Sequence, residues 1–382
     1  MKDLLAWRDE FPILKTTTYL ISNSLGAMPR GVESGLLDYA HIWATRGVRA
    51  WDEVWWEMAL KFADLLAPIL GAEAGTISLH QNVTQTQAVI ASCFQFDGPR
   101  RKVVVVDKEF PSILYFWYAQ RGRGAEIELV RTQDDPLCVP TGRLLAAIDE
   151  QTLLVPVSHV LFKSGCVQDV EAIIERAHRV GAHVVLDTYQ SAGALPVEAR
   201  RWKVDFMVGG VLKWLCGGPG VAYLYTRPDL ASRLKPAFTG WFAQPRPFDF
   251  QVGPGDYRND AYRFANGTPA VPGFYAARPG VEIIRQVGVE RIRERSLALT
   301  DRLIEGARER GWRIATPEAA NARGGTVTLD VPRGPEVMND LLRREVIVDY
   351  RPAAGIRLSP HFYNTEDEID HALAEIAALV KA

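Results

Sequence analysis

A chain of 382 residues is long enough to bury a large core and to divide into two domains. Its 47% hydrophobic and 24% charged residues are the mix of a soluble globular protein, and 44 basic against 46 acidic side chains give a net charge of −2. That balance excludes a basic nucleic-acid surface and a membrane-binding patch, and no run reaches the length of a transmembrane helix. The opening MKDLLAWRDEFPIL carries acids and has no signal-peptide core. Cys93, Cys138, Cys166 and Cys216 are scattered, with neither metal-ligand nor redox-pair spacing. The expectation is therefore a reduced cytoplasmic enzyme without a metal centre.

Residues 1–18 read as a short helix and connector, and Tyr19 to Pro29 as a brief strand breaking into a small-residue turn that holds Asn23. The tryptophan-rich segment from Arg49 to Trp56 reads as an amphipathic helix whose aromatics fill a core or a subunit contact. A strand at Thr76–Leu79 leads into Gln81–Thr86, and helical spacing runs from Gln87 to Phe94. A helix start with free N–H groups and hydroxyls suits a phosphate, which makes Val83 and Thr84 candidates; a plain N-cap is the alternative.

Val103–Val106 is a β-branched run, hence a buried central strand, with Phe110 just past its carboxyl end, where α/β sheets bind ligands. There it can stack on a ring or plug a core. Leu153–Val157 forms the next strand and leads to Ser158. The 167–180 segment has helical spacing, and the strand His183–Leu186 ends at Asp187. After the strand Asp205–Val208 come two glycines and then Lys213, among Val211, Leu212, Trp214 and Leu215. A lysine with apolar neighbours must lose its charge, pair, or reach water, and losing charge makes the amine nucleophilic, as Schiff-base chemistry requires. Taken singly, Asp187 could be an N-cap and Lys213 a surface lysine. Val221–Tyr225 reads as a returning strand. Such strand–helix–strand alternation predicts a mostly parallel sheet.

Residues 235–272 are rich in glycine, proline and aromatics without periodicity, as in a long functional loop. From about 275 a second, α+β, domain is expected. Its helices are Val289–Arg310, about Glu336–Arg344 and Glu366–Val380, and its strands Thr326–Leu329, Val346–Asp349 and Ile356–Leu358. Arg357, between Ile356 and Leu358, needs a partner; its planar fork suits a carboxylate, either a ligand's or that of an internal salt bridge.

The pattern Asp187-x-x-Gln190-Ser191-x-Gly193, followed by Gly210-x-x-Lys213-Trp214-Leu215-x-Gly217-Gly218-Pro219-Gly220, closely resembles the class V aminotransferase family of fold-type I pyridoxal-phosphate enzymes. The resemblance runs from Tyr19 to Thr365. It implies an α/β fold with a large domain (19–272) built on a mostly parallel seven-stranded sheet, a small C-terminal domain (273–382) and an N-terminal segment (1–18). It also implies pyridoxal 5′-phosphate in Schiff-base linkage to Lys213, with Asp187 keeping the pyridine nitrogen protonated and Gln190 on the phenolic oxygen. Phe110 would stack on the ring, and Val83, Thr84 and Ser158 would serve the phosphate or ring. Gly240-Trp241 and Phe264-x-x-Gly267-Thr268-Pro269 resemble segments that reach the neighbouring subunit's phosphate, so Trp241 and Thr268 imply a homodimer with shared active sites.

The stretch Tyr19-Leu20-x-x-Asn23-Ser24-Leu25-Gly26-Ala27-x-Pro29 resembles kynureninase and places Asn23 on the substrate side. Arg357-x-x-Pro360-x-x-Tyr363-Asn364-Thr365 resembles a stretch whose arginine grips the α-carboxylate of an amino-acid substrate. Against kynureninase, Leu212 stands in place of tyrosine, Gln190 of histidine, Ile113 of aspartate, and Gly267-Thr268 of Ser-Asn. The segment from Trp241 to Gln244 also departs from its texture. No cysteine lies where a desulfurase would form its persulfide. The expected activity is transamination of a small α-amino acid, with kynureninase-like Cβ–Cγ hydrolysis or β-elimination as the alternative.

Overall fold

The β-branched runs form strands buried on both faces, as their composition requires. The computed structural model describes residues 3–132, 135–253 and 255–381. Its strands are β1 (Thr18–Tyr19), β2 (Ile77–His80), β3 (Lys102–Val106), β4 (Glu126–Val130), β5 (Thr152–Ser158), β6 (His183–Asp187), β7 (Phe206–Gly210), β8 (Ala222–Thr226), β9 (Arg313–Ile314), β10 (Val327–Asp330), β11 (Val346–Ile347), β12 (Asp349–Arg351) and β13 (Gly355–Leu358).

A seven-stranded sheet runs in the order β2-β8-β7-β6-β5-β3-β4, and β8 is antiparallel to both its neighbours. The remaining pairings are parallel. Alternate residues feed two cores. Val104, Val155, Val184 and Met207 face one, while Val103, Leu154, Val185 and Phe206 face the other. The carboxyl ends of β5, β6 and β7 lie side by side, with Ser158 opposite Asp187 and Asp187 opposite Val208.

The C-terminal region has its own antiparallel sheet, β12-β13-β10-β9, and its own core of Leu299, Leu303, Leu329, Ile356, Ile369 and Leu373. The expected strand Val346–Asp349 is two strands. β11 pairs parallel with β1, and β12 pairs with β13, bringing Asp349 opposite Arg357. A continuous apolar run carries no mark of where it changes partners. Residues 4–15 form two 3₁₀ turns, and the tryptophan segment forms a π turn, Trp51–Trp55, entering the helix Trp56–Leu66. The expected boundary at 272/273 falls in the first turn of the helix Val271–Val287, which packs against the helix Gly31–Arg46.

The cysteine expectation needs correcting. Cys138 and Cys166 are joined by a disulfide, with Cα atoms 5.6 Å apart, whereas Cys93 and Cys216 are free. The 28-residue separation gives no pair spacing; the fold lays the 135–140 loop against the turn after β5. No helix among the described residues is long and apolar enough to cross a membrane.

Candidate active site

The lysine is presented by a turn that glycines allow to pack tightly. Cys216 N–H closes on the Lys213 carbonyl at 3.0 Å, and Gly26 N–H bonds the Leu212 carbonyl at 2.8 Å. A Cβ on Gly26 would lie 2.1 Å from the Lys213 carbonyl oxygen, so only glycine lets the 22–27 segment cross here. The amine forms no ion pair among the described residues. It lies 4.4 Å from the Tyr189 ring centroid and 5.7 Å from that of Phe110. Burial pulls its pKa down to about 8, with Arg357 and Arg351 adding repulsion and Asp187 and Asp349 opposing it.

Asp187 ends β6 with Oδ1 on the Tyr189 N–H at 2.8 Å, and Oδ2 has no hydrogen-bond partner among the described residues. Burial raises its pKa to about 6, against the Tyr189 N–H and Lys213. Gln190 accepts from Trp214 Nε1 at 3.1 Å and donates to the Asn23 carbonyl at 3.0 Å, leaving one amide N–H to spare. Asn23 is buried, and neither its side-chain oxygen nor its nitrogen has a partner. An orphaned buried amide in this position is a seat for a ligand's polar group.

Phe110 is 44% exposed, its ring edge-on to Phe162 at 5.2 Å. Ser158 has another partner than the one its position suggests: its N–H and hydroxyl both bond the buried Glu109 carboxylate. Burial, opposed by those bonds, lifts Glu109 to about 8. The helix expected from Gln87 starts at Val83, because the extended Asn82 caps it by accepting from Gln85 N–H at 2.9 Å. That cap leaves the Val83 and Thr84 N–H groups without helical partners.

Arg357 is buried, and Asp349 grips its fork: Nε lies 2.7 Å from Oδ1, and one terminal nitrogen bonds Oδ2. The other terminal nitrogen donates to the Phe162 carbonyl. The structure thus places the Lys213 amine by the rings of Tyr189 and Phe110, Gln190 on the Asn23 carbonyl, and Arg357 on the carbonyl of Phe162, whose ring meets Phe110, with Asp187 and Arg357 both acting on the charge of Lys213. Trp241 and Thr268 stand elsewhere: Trp241 stacks on Phe250 and meets Phe242 and Phe248 edge-on and Trp56 at a tilt, and Thr268 is exposed beside Asn266, which accepts from Gln85 at 3.2 Å. Sequence reading passed over Glu109, Tyr189, Asp349 and Arg351. Only Tyr189 carried a signal, lying inside the Asp187–Gln190 motif.

The residues present fit pyridoxal phosphate. A buried carboxylate offers a free oxygen for a protonated ring nitrogen, an unpaired amine lies between rings, and uncapped N–H groups open a helix. The family described as aminotransferase class V matches residues 36–371. The protein called uncharacterized aminotransferase YcbU of Bacillus subtilis (strain 168) is 33% identical over 97% of both chains. Kynureninase of Bacillus anthracis is 30% identical over 99% of this chain and 92% of its own. Among solved structures, a cysteine desulfurase from Thermococcus onnurineus NA1, 22% identical, superposes over 100% of this chain and 99% of its own, with a TM-score of 0.88.

Proposed function

Because the chain belongs to the aminotransferase class V family, whose cofactor is pyridoxal 5′-phosphate, we propose that it acts on a small α-amino acid, most simply as a transaminase. The observation that carries this reading is the Lys213 amine, held by the rings of Tyr189 and Phe110 with no ion-pair partner among the described residues and its pKa drawn down to about 8 by burial. Bound there, pyridoxal phosphate supplies an electron sink for charge developing at the α-carbon. Lys213 would hold it covalently, and its Nζ, when free, would move the α-proton. Asp187 Oδ2 would keep the ring nitrogen protonated, and the Gln190 amide would serve the phenolic oxygen. Phe110 would serve the ring, and the Val83 and Thr84 N–H groups would hold the phosphate. Asn23 and Arg357 would form the carboxylate end.

A homodimer in the cytoplasm completes the reading, with Trp241 and Thr268 serving the partner's site. Exposed Leu25, Met28, Leu37, Trp43 and Val48 supply an apolar face suited to such a contact. Cytosolic thiols are ordinarily kept reduced, so the cytoplasmic reading expects four free thiols in the unfolded, unreduced protein, whereas the Cys138–Cys166 bond leaves two.

The second reading, kynureninase-like hydrolysis, rests on the similarity to the Bacillus anthracis enzyme. Leu212 disfavours it, having no hydroxyl to give a proton. Mixing the cofactor-loaded protein with an amino-acid panel separates the two. A transaminase converts the cofactor to its pyridoxamine form, and a hydrolase or lyase releases a cleavage product without that change. Neither result with any amino acid would sink both readings.

A further inference from the structure

We propose that Asp349 is a resident carboxylate occupying the substrate's place on Arg357, and that it moves onto Arg351 when an amino acid binds. The inference rests on the reading of Arg357 as the carboxylate end of the site. Asp349 takes a bidentate edge of Arg357, through Nε and one terminal nitrogen, and the other terminal nitrogen holds the Phe162 carbonyl. A substrate α-carboxylate that pairs with that edge displaces the Asp349 side chain.

The charges show where Asp349 would go. Arg351 Nη2 already lies 3.0 Å from Asp349 Oδ2, and its Nη1 bonds the Tyr350 carbonyl at 3.0 Å. Two guanidinium groups thus share one carboxylate, a cluster with one anion too few. Lys213 adds a further positive charge when protonated, and Asp187 offsets part of it. Lys163, the other cation nearby, reaches the Pro352 carbonyl at 3.3 Å. A second carboxylate turns the shared arrangement into two separate pairs, Asp349 with Arg351 and substrate with Arg357. The exchange is feasible because β12 is an edge strand and the Arg351 side chain is 34% exposed, whereas Arg357 sits on the covered strand β13. It also sets specificity. Only a carboxylate replaces what Arg357 gives up, so amino-acid amides and simple amines are rejected.

The test uses the cofactor-loaded protein and propionate, a carboxylate without an amine, with binding followed by calorimetry. Asp349→Asn removes the competitor's charge and is expected to bind propionate about tenfold more tightly than the unaltered protein. Arg351→Gln removes the alternative partner and is expected to bind it about tenfold more weakly. With the amino-acid substrate, KM is expected to move in the same directions while kcat stays nearly constant. Unchanged or weaker propionate binding by Asp349→Asn, or unchanged binding by Arg351→Gln, overturns the proposal. If Asp349→Asn does not fold, Arg351→Gln, on the open edge, decides alone. Failure of the underlying enzyme assignment shows separately, as no cofactor mass fixed on Lys213 after borohydride reduction.

Discussion

The turn around Lys213 and the strand around Arg357 each take a basic side chain out of water, and they treat its charge in opposite ways. Lys213 has two aromatic rings and no ion-pair partner among the described residues, and burial brings its amine to about 8. A guanidinium stays charged in proteins, so a buried one must be satisfied instead. Arg357 is, by Asp349 and the Phe162 carbonyl. Arg323, fully buried in the same C-terminal region, follows the same rule through Asp301, Thr300 and the Glu318 carbonyl. Where the proton can leave, burial makes the free amine easier to reach; where it cannot, burial demands a carboxylate partner.

The largest break in this comparison is Lys213→Ala. Turnover is expected to fall by at least about 10⁴-fold. Reductive trapping that adds cofactor mass to the unaltered protein should add none to the variant, and full turnover would refute the assignment.

Next is the arginine side. Arg357→Ala should raise KM by about tenfold or more, with a modest stability loss because Asp349 keeps Arg351. Adding Arg351→Gln strands Asp349 and should cost about 3 kcal/mol beyond the sum of the single changes, read by denaturant unfolding. Simple additivity would show that the two arginines do not share the carboxylate.

Gly26→Ala forces a methyl group against the backbone of the lysine turn and should destabilise by about 1–3 kcal/mol. The amine beneath that turn moves with it, so cofactor trapping on Lys213 should fall as well.

A pH dependence sharpens the comparison further. Folded Glu109 keeps its proton to about 8, whereas the unfolded chain releases it near the usual 4.5. Between those values the folded protein binds more protons, so this group lowers stability as pH rises. Glu109→Gln should flatten that decline in calorimetric melting. Lys213 acts in the other direction: from about 8 to 10.5 the unfolded chain holds more protons, and stability rises with pH.

How much of this could be read beforehand also divides between the two regions. The core strands announced themselves through β-branched runs such as Lys102–Val106, and the lysine turn through its motif. Both are local patterns. Glu109 was passed over because an acid between Lys108 and Phe110 looks like a solvated loop residue, and only the register of β5 puts Ser158 against it. Asp349 was taken as the end of a single strand, since nothing in Val346–Val348 tells that pairing moves from β1 to β13. The edge strand β4 alternates Glu126-Ile127-Glu128-Leu129, the weak signature of a strand with one wet face. The Cys138–Cys166 bond depends on a loop contact that spacing does not encode.

The stretch from Thr18 to Gly26 ties these two regions together. Residues 18–22 run along the C-terminal region, through β1 against β11 and Ser22 N–H on the carbonyl of Ser359, just past β13. The next four residues turn onto the lysine, through Asn23 to Gln190 and Gly26 to Leu212. Any tilt of the arginine-bearing sheet would drag this strap, so drawing the carboxylate end inward hauls the unpaired Asn23 amide with it. Cutting the chain between Ser22 and Asn23 would break that tether and uncouple the two ends of the site.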